Sequence, residues 1–197
     1  MTRSFLFVLG SARAGGNSER LARMAAEQLP TDVERHWISL AEHPLPDFVD
    51  RRHDSEYVRP PAGSAAALLL DATLAATDIV IVSPLYWYSL SAQTKRYLDH
   101  WSGWLRVPGA DFRATMAERT LWGVTALAHR ELEVADPLTG TLSNTAAYLK
   151  MRFGGLLLGN GSAPGDIARD PEAAARAKTF FTREAPLARF PFETPTR

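Results

Sequence analysis

The sequence predicts an α/β fold, a three-layer sandwich in which helices cover both faces of a five-stranded parallel sheet. Three observations carry this expectation. Short apolar runs alternate with longer segments of helical period, as successive βαβ units do. The run Asp78-Ile79-Val80-Ile81-Val82 shows no polar alternation, which marks a strand buried on both faces. The 197 residues, 46% hydrophobic and 22% charged, are enough for one domain with its own core, so residues 1–197 are read as a single unit.

Taken in order, Ser4 to Leu9 reads as the first strand. Asn17 to Leu29 reads as a helix with Leu21, Met24, Ala25 and Leu29 on one face, capped by Asn17 or Ser18. Val33 to Leu40 is a second strand, and Glu34, Arg35 and His36 suit it to an edge. The proline-rich, charged stretch Ala41 to Gly63 is long for a plain connection and is read as a functional flap or a partner-binding loop. Ser64 to Thr77 is an Ala/Leu-rich helix leading into the buried strand Asp78 to Val82. A helix from about Ser91 carries Leu90, Thr94, Tyr97, Leu98, Trp101 and Leu105 along one stripe. Val107 to Ala117 reads as irregular, Thr120 to Leu127 as the fourth strand, Leu142 to Phe153 as a helix and Gly155 to Leu158 as a short fifth strand. Asp170-Pro171 starts the last helix, a capping residue followed by proline at the first helical position. The tail from Arg189 to Arg197 is expected to be irregular.

Composition narrows the function classes. The 22 basic residues balance 22 acidic ones, so no overall field draws nucleic acid or an anionic membrane, and neither is expected as a partner. With no cysteine, this chain offers no disulfide, thiolate metal ligand, cysteine nucleophile or iron–sulfur cluster. No metal site and no catalytic triad stand out. The apolar run Phe5 to Leu9 is too short for a signal-peptide core or a membrane span, which leads to the expectation of a soluble, cytoplasmic protein.

In an open parallel sheet, ligands bind beyond the carboxyl ends of the strands. The loop after the first strand is Gly10-Ser11-Ala12-Arg13-Ala14-Gly15-Gly16-Asn17-Ser18. Its glycines let the backbone bend close to a ligand, and the amides and dipole of the following helix attract an anion. Ser11, Asn17 and Ser18 are neutral donors, and Arg13 is a forked, charged one. A P-loop would need Gly-Lys-Ser/Thr at the helix start and a Rossmann fingerprint G-x-G-x-x-G; this loop has neither. By itself the loop also allows a merely flexible turn into a helix. After the third strand comes Ser83-Pro84-Leu85-Tyr86-Trp87-Tyr88-Ser89, whose three aromatics suit the wall of a pocket for a flat ring, or else cover the sheet end or a dimer contact.

Together the two loops resemble those of the NAD(P)H-dependent FMN reductase and quinone reductase group of the flavodoxin-like superfamily. Gly10-Ser11-Ala12-Arg13 through Asn17-Ser18 resembles its G-S-x-R-x-x-x-N-S phosphate motif. Pro84, Tyr86, Ser89, Lys95 and Asp99 resemble its P-x-Y-x-x-S-x-x-x-x-x-K-x-x-x-D segment. The likeness covers most of residues 3 to 160. It implies strand order 2-1-3-4-5, with Ser11, Arg13, Asn17 and Ser18 on the FMN phosphate and Pro84, Leu85, Tyr86 and Trp87 along the isoalloxazine. Lys95 and Asp99 are read as a helix-surface ion pair. The chain departs from the family pattern at Thr125-Ala126-Leu127-Ala128-His129-Arg130, where glycines or small hydroxyl residues are usual, so His129 is at most a contact to flavin or substrate.

The resemblance implies an enzyme in which reduced nicotinamide passes hydride through FMN to a small acceptor: a quinone, azo or nitro compound, or free flavin. No side chain needs to act as acid or base, and backbone amides near Tyr86 and Trp87 could stabilise negative charge on the reduced ring. The alternative is a flavodoxin-type electron carrier that docks onto proteins, but carriers use an acidic surface and this chain has zero net charge. The resemblance also implies a homodimer, with some of Trp87, Trp101 and Trp104 between subunits.

Overall fold

The computed structural model describes residues 3–53 and 56–192. Five strands, β1 (Ser4–Leu9), β2 (Glu34–Ser39), β3 (Asp78–Val82), β4 (Thr120–Leu127) and β5 (Arg152–Asn160), form one sheet of order β2-β1-β3-β4-β5. All four pairings are parallel. This is the implied order, and it reverses direction between β1 and β3, where open α/β sheets open a crevice.

Because β1 and β3 are buried on both faces, alternate residues feed two separate cores. Leu6, Val8, Ile79 and Ile81 pack beneath α2 (Ala65–Ala75), α3 (Ala92–Trp104) and α5 (Asp136–Tyr148). Phe5, Phe7, Val80 and Trp122 pack beneath α1 (Asn17–Ala26) and α6 (Pro171–Ala177). Two of the tryptophans considered for a subunit contact, Trp101 and Trp104, belong to the first core, edge-on or tilted against Tyr97 and Phe112. No helix among the described residues is long and apolar enough to cross a membrane.

The helix before β5 begins at Asp136, six residues earlier than the apolar spacing suggests. It opens with Asp136-Pro137, proline in the first turn as at Asp170-Pro171, but here Ala135 is the N-cap and no side chain caps the turn. Within Val107 to Ala117, burial of Phe112 and Met116 supports a short helix, α4 (Phe112–Met116). Strand β5 is longer at both ends than the expected Gly155 to Leu158, running from Arg152 to Asn160. Leu121 pairs with Phe153 but Trp122 with Gly155, so Gly154 is the extra residue of a bulge. Of the tail expected to be irregular, residues 189–192 form no strand or helix, and 193–197 lie outside the described residues.

The amino end of the sheet is locked by Asp78, which is buried. Its carboxylate accepts from Arg3 Nη2 and Nε at 2.6 and 3.1 Å, from Thr77 Oγ1 at 2.8 Å and from Trp122 Nε1 at 2.8 Å. Four donors on one buried carboxylate satisfy it fully and leave it no lone pair for a ligand. The carboxyl end is built differently.

Candidate cofactor cleft

At the carboxyl ends of β1, β3, β4 and β5 lies a cleft of about 560 Å³. The Ser11–Ser18 loop forms one side, Pro84, Leu85 and Tyr86 a second, and Ala126, Leu127 and Ala128 a third, with Gly161 and Ser162 at the far end. The two loops singled out in the sequence therefore meet at one site. Gly10 joins them: its amide donates to Val82 O at 2.7 Å and its carbonyl accepts from Ser91 Oγ at 2.6 Å.

The phosphate loop leaves donors open where an anion would sit. Gly15 supplies a positive φ of 62°, the left-handed turn that glycine adopts without strain. The expected side-chain cap is absent: Gly16 is the N-cap residue and no side chain caps α1. The first helical amide with a partner is that of Arg20, on Gly16 O at 2.9 Å. The amides of Asn17, Ser18 and Glu19 have no acceptor among the described residues, so the positive end of the helix faces the cleft uncapped. Glu19 does not fill this place, since its carboxylate accepts from Gly15 N and pairs with Arg23 at 2.7 Å. The Arg13 guanidinium lines the cleft and has no partner among the described residues. Open amides and an unpaired guanidinium fit a phosphate monoester.

The four residues read as phosphate ligands divide in two. Ser11 Oγ accepts from Arg13 N at 3.0 Å, which leaves its own proton free to donate. Asn17 and Ser18 spend their side chains as struts. Asn17 Nδ2 donates to Ala163 O at 2.9 Å and its Oδ1 accepts from Gly165 N at 3.0 Å, tying α1 to the loop after β5. Ser18 Oγ is buried and accepts from Ala126 N at 2.9 Å, tying α1 to β4. Both residues also present an unpartnered backbone amide to the cleft.

The aromatic turn is a two-residue hairpin loop. Tyr86 N donates to Ser89 O and Ser89 N to Tyr86 O, both at 3.0 Å. Trp87 and Tyr88 have φ values of 50° and 62°, the pair of positive angles a type I′ turn requires and that Asn-Gly ordinarily supplies. Two bulky residues held there are strained. Tyr86 lines the cleft, half exposed, whereas Trp87 stands at the tip, 94% exposed, outside the cleft lining. The Tyr86 amide is committed to the turn, so it is not free to stabilise charge on a ligand. Replacing Trp87-Tyr88 by Asn-Gly should raise stability by about 1–2 kcal/mol. A urea melt showing no gain would mean that the turn is unstrained.

Lys95 and Asp99 form the expected exposed i,i+4 pair at 2.5 Å, worth about 0.2–0.5 kcal/mol. His129 is exposed and lies beyond the cleft lining; its carbonyl accepts from Asn160 Nδ2 at 2.6 Å. Asn160 also reaches the carbonyls of Leu127 and Ala128, and so brackets the ends of β4 and β5 together. Sequence reading missed Gly161 and Ser162, because it ended β5 at Leu158. The rule that ligands meet strand ends finds them once the strand is given its true length.

The profile of the family described as NADPH-dependent FMN reductase matches residues 4–135. The Bacillus subtilis (strain 168) protein YwqN, provisionally named an NAD(P)H-dependent FMN-containing oxidoreductase, is 29% identical over 175 residues, 88% of this chain and 94% of its own. The structure of a Trp repressor binding protein from Bacillus subtilis superposes with a TM-score of 0.70 at 24% identity, covering 91% of this chain and 99% of the other. That of an NAD(P)H:quinone oxidoreductase from Methanothermobacter marburgensis gives 0.67 at 13% identity, over 90% and 96%. At such identities the structural matches speak for the fold.

Proposed function

Since this chain belongs to the NADPH-dependent FMN reductase family, we propose that it passes hydride from reduced nicotinamide to a small aromatic or quinonoid acceptor at the cleft between the Ser11–Ser18 loop and the Pro84–Trp87 turn. The enzyme class is an NAD(P)H-dependent flavin oxidoreductase with FMN as its cofactor. The observation that carries the placement is the uncapped amino end of α1 beside the unpaired Arg13. FMN, when bound, supplies a two-electron relay between nicotinamide and acceptor.

The chain's own residues bind and orient. In this reading the amides of Asn17, Ser18 and Glu19, the Ser11 hydroxyl and the Arg13 fork hold the phosphate. Pro84, Leu85 and Tyr86 line one side of the ring, and Ala126, Leu127 and Ala128 face it with no titratable group. The ring wall therefore excludes water by aliphatic and aromatic contact, and no acid or base is placed against it. Trp87, almost wholly exposed in one chain, is left for the ring's outer face or for a second copy in a homodimer. Quinone, azo, nitro and flavin acceptors all suit such a wall, which offers a flat surface and little hydrogen-bonding selectivity.

The test is an absorbance spectrum of the purified protein with FMN added, followed by NADPH oxidation with a panel of these acceptors. Flavin uptake and turnover without a second protein support the reading. Turnover only with a separate reductase would indicate an electron carrier, and no flavin uptake would remove the proposal. Arg13→Ala should weaken FMN binding about 10–100-fold, the share of one charge-assisted phosphate fork, while leaving riboflavin binding unchanged. Light scattering that returns the mass of one chain would remove the homodimer.

A further inference from the structure

A second cleft, of about 500 Å³, adjoins the first beyond the Asn160 bracket. The loop after β4 supplies Arg130 and Leu132, and the segment from Asn160 to Arg176 supplies the rest. The two clefts share a ridge, residues 127–130, whose carbonyls at Leu127, Ala128 and His129 all accept from Asn160 Nδ2. A ligand that reaches the cofactor ring from this side runs over the ridge.

The charges in the second cleft are nearly all committed. Asp166 accepts from the amides of Ala163 and Ser162, at 2.7 and 3.1 Å, and pairs with Arg169. Those two amides and the Arg169 guanidinium hold its carboxyl below the usual carboxylate range, so it stays ionised and paired. Asp170 accepts from the amides of Asn160 and Ala173 at 2.7 and 2.8 Å. Arg176 donates to Leu158 O and pairs with Glu172 at 3.5 Å and Asp170 at 3.9 Å. Arg130 alone has no hydrogen bond or ion pair among the described residues, and neither Glu131 nor Glu133 lines the cleft.

Four arginines line the two clefts: Arg13, Arg130, Arg169 and Arg176. Two of them, Arg13 and Arg130, have guanidiniums with no protein partner among the described residues, one in each cleft. The reaction proposed above brings two phosphate monoesters to this end of the sheet, the 5′-phosphate of FMN and the 2′-phosphate of NADPH. Arg13 lies on the loop that meets the first. We propose that Arg130 receives the second: the cleft past Asn160 seats the adenosine end of NADPH, and Arg130 selects it over NADH by a forked bond to the 2′-phosphate. This rests on the cofactor placement above and deepens it by naming a residue that would set the preference between the two nicotinamide nucleotides. The bond falls on a part of the nucleotide remote from the transferred hydride, so its loss acts on substrate binding.

The experiment compares wild type, Arg130→Ala and Arg130→Lys as FMN-loaded proteins. Calorimetric titration with 2′,5′-ADP and with 5′-AMP reads the site without turnover. Wild type should bind 2′,5′-ADP about 10–100-fold more tightly than 5′-AMP, and Arg130→Ala should lose that preference. Arg130→Lys, which keeps the charge without the fork, should fall between. In steady state, Arg130→Ala should raise KM for NADPH by the same factor, with kcat and KM for NADH unchanged. Equal binding of the two nucleotides by wild type, or an unchanged preference in Arg130→Ala, overturns the proposal. Failure of the flavin reading shows separately, as loss of the bound-FMN spectrum in every variant.

Discussion

Gly10→Ala is expected to destabilise the protein by about 3–5 kcal/mol and to abolish flavin uptake even in the molecules that remain folded. A methyl group at this position would lie 1.8 Å from Thr94 Oγ1, 3.1 Å from Thr94 Cβ and 3.2 Å from Val82 O. Thr94 cannot turn away at low cost. It is fully buried, and its hydroxyl is 2.8 Å from Ser91 Oγ, which itself donates to Gly10 O. Relief must therefore come from moving Gly10 away from α3, which pulls the phosphate loop off the end of β3. The double variant Gly10→Ala/Thr94→Ala removes the 1.8 Å collision and should recover at least half of the lost stability. Urea unfolding followed by tryptophan fluorescence checks both. A single variant within about 1 kcal/mol of wild type would contradict the packing described.

Gly154→Ala should cost about as much stability but leave flavin affinity intact. Its methyl group would meet the Trp122 ring at 2.0–2.4 Å. The indole is held from the far side, Nε1 bonded to Asp78 and Asp78 gripped by Arg3 and Thr77, so it has no direction in which to yield. The expected loss is about 3–4 kcal/mol. The collision is at the amino end of the sheet, opposite the cleft, and FMN titration below the shifted melting point should give the wild-type affinity. A matching loss of flavin binding would mean that the two ends of the sheet are mechanically coupled. The two glycine variants thus separate fold stability from site integrity.

Legibility in the sequence followed the physics of each segment. Strand β3 and the capped start at Asp170 were plain because each depends on its own residues: an unbroken apolar run in one case, a carboxylate accepting from Ala173 N at 2.8 Å in the other. Helix α5 was placed too late because only Leu138, Leu142 and Ala146 of it are buried, a thin stripe in which Leu142 looks like a beginning. Strand β5 reads short at both ends, from Gly155 to Leu158 where the fold runs from Arg152 to Asn160. Two adjacent glycines ordinarily interrupt a strand, and here they make room for a tryptophan from the neighbouring strand and for Arg183, which donates to Gly154 O. Arg183 is 29 residues from Gly154 in sequence.

By themselves, the residues determined the layered parallel sheet, the two loops that meet at its carboxyl end and the family whose cofactor suits them. The sheet and the loops are local properties, read from periodicity, glycine placement or a run of residue types, and the family is what the resemblance of the two loop motifs implies. Tertiary structure alone decided what the individual side chains do. Asn17 and Ser18 carry the motif, yet their side chains brace the walls, because the first turn of α1 aims them at β4 and the loop after β5. Trp87 was expected along the ring and stands at the tip of a strained turn, because Tyr86 and Ser89 close on each other beneath it. Arg13 and Arg130 came out as the two uncommitted cations only after every other charge in the clefts had been paired in space. Motifs record which donors a chain owns. Only the fold shows which donors its own backbone and carboxylates have left free.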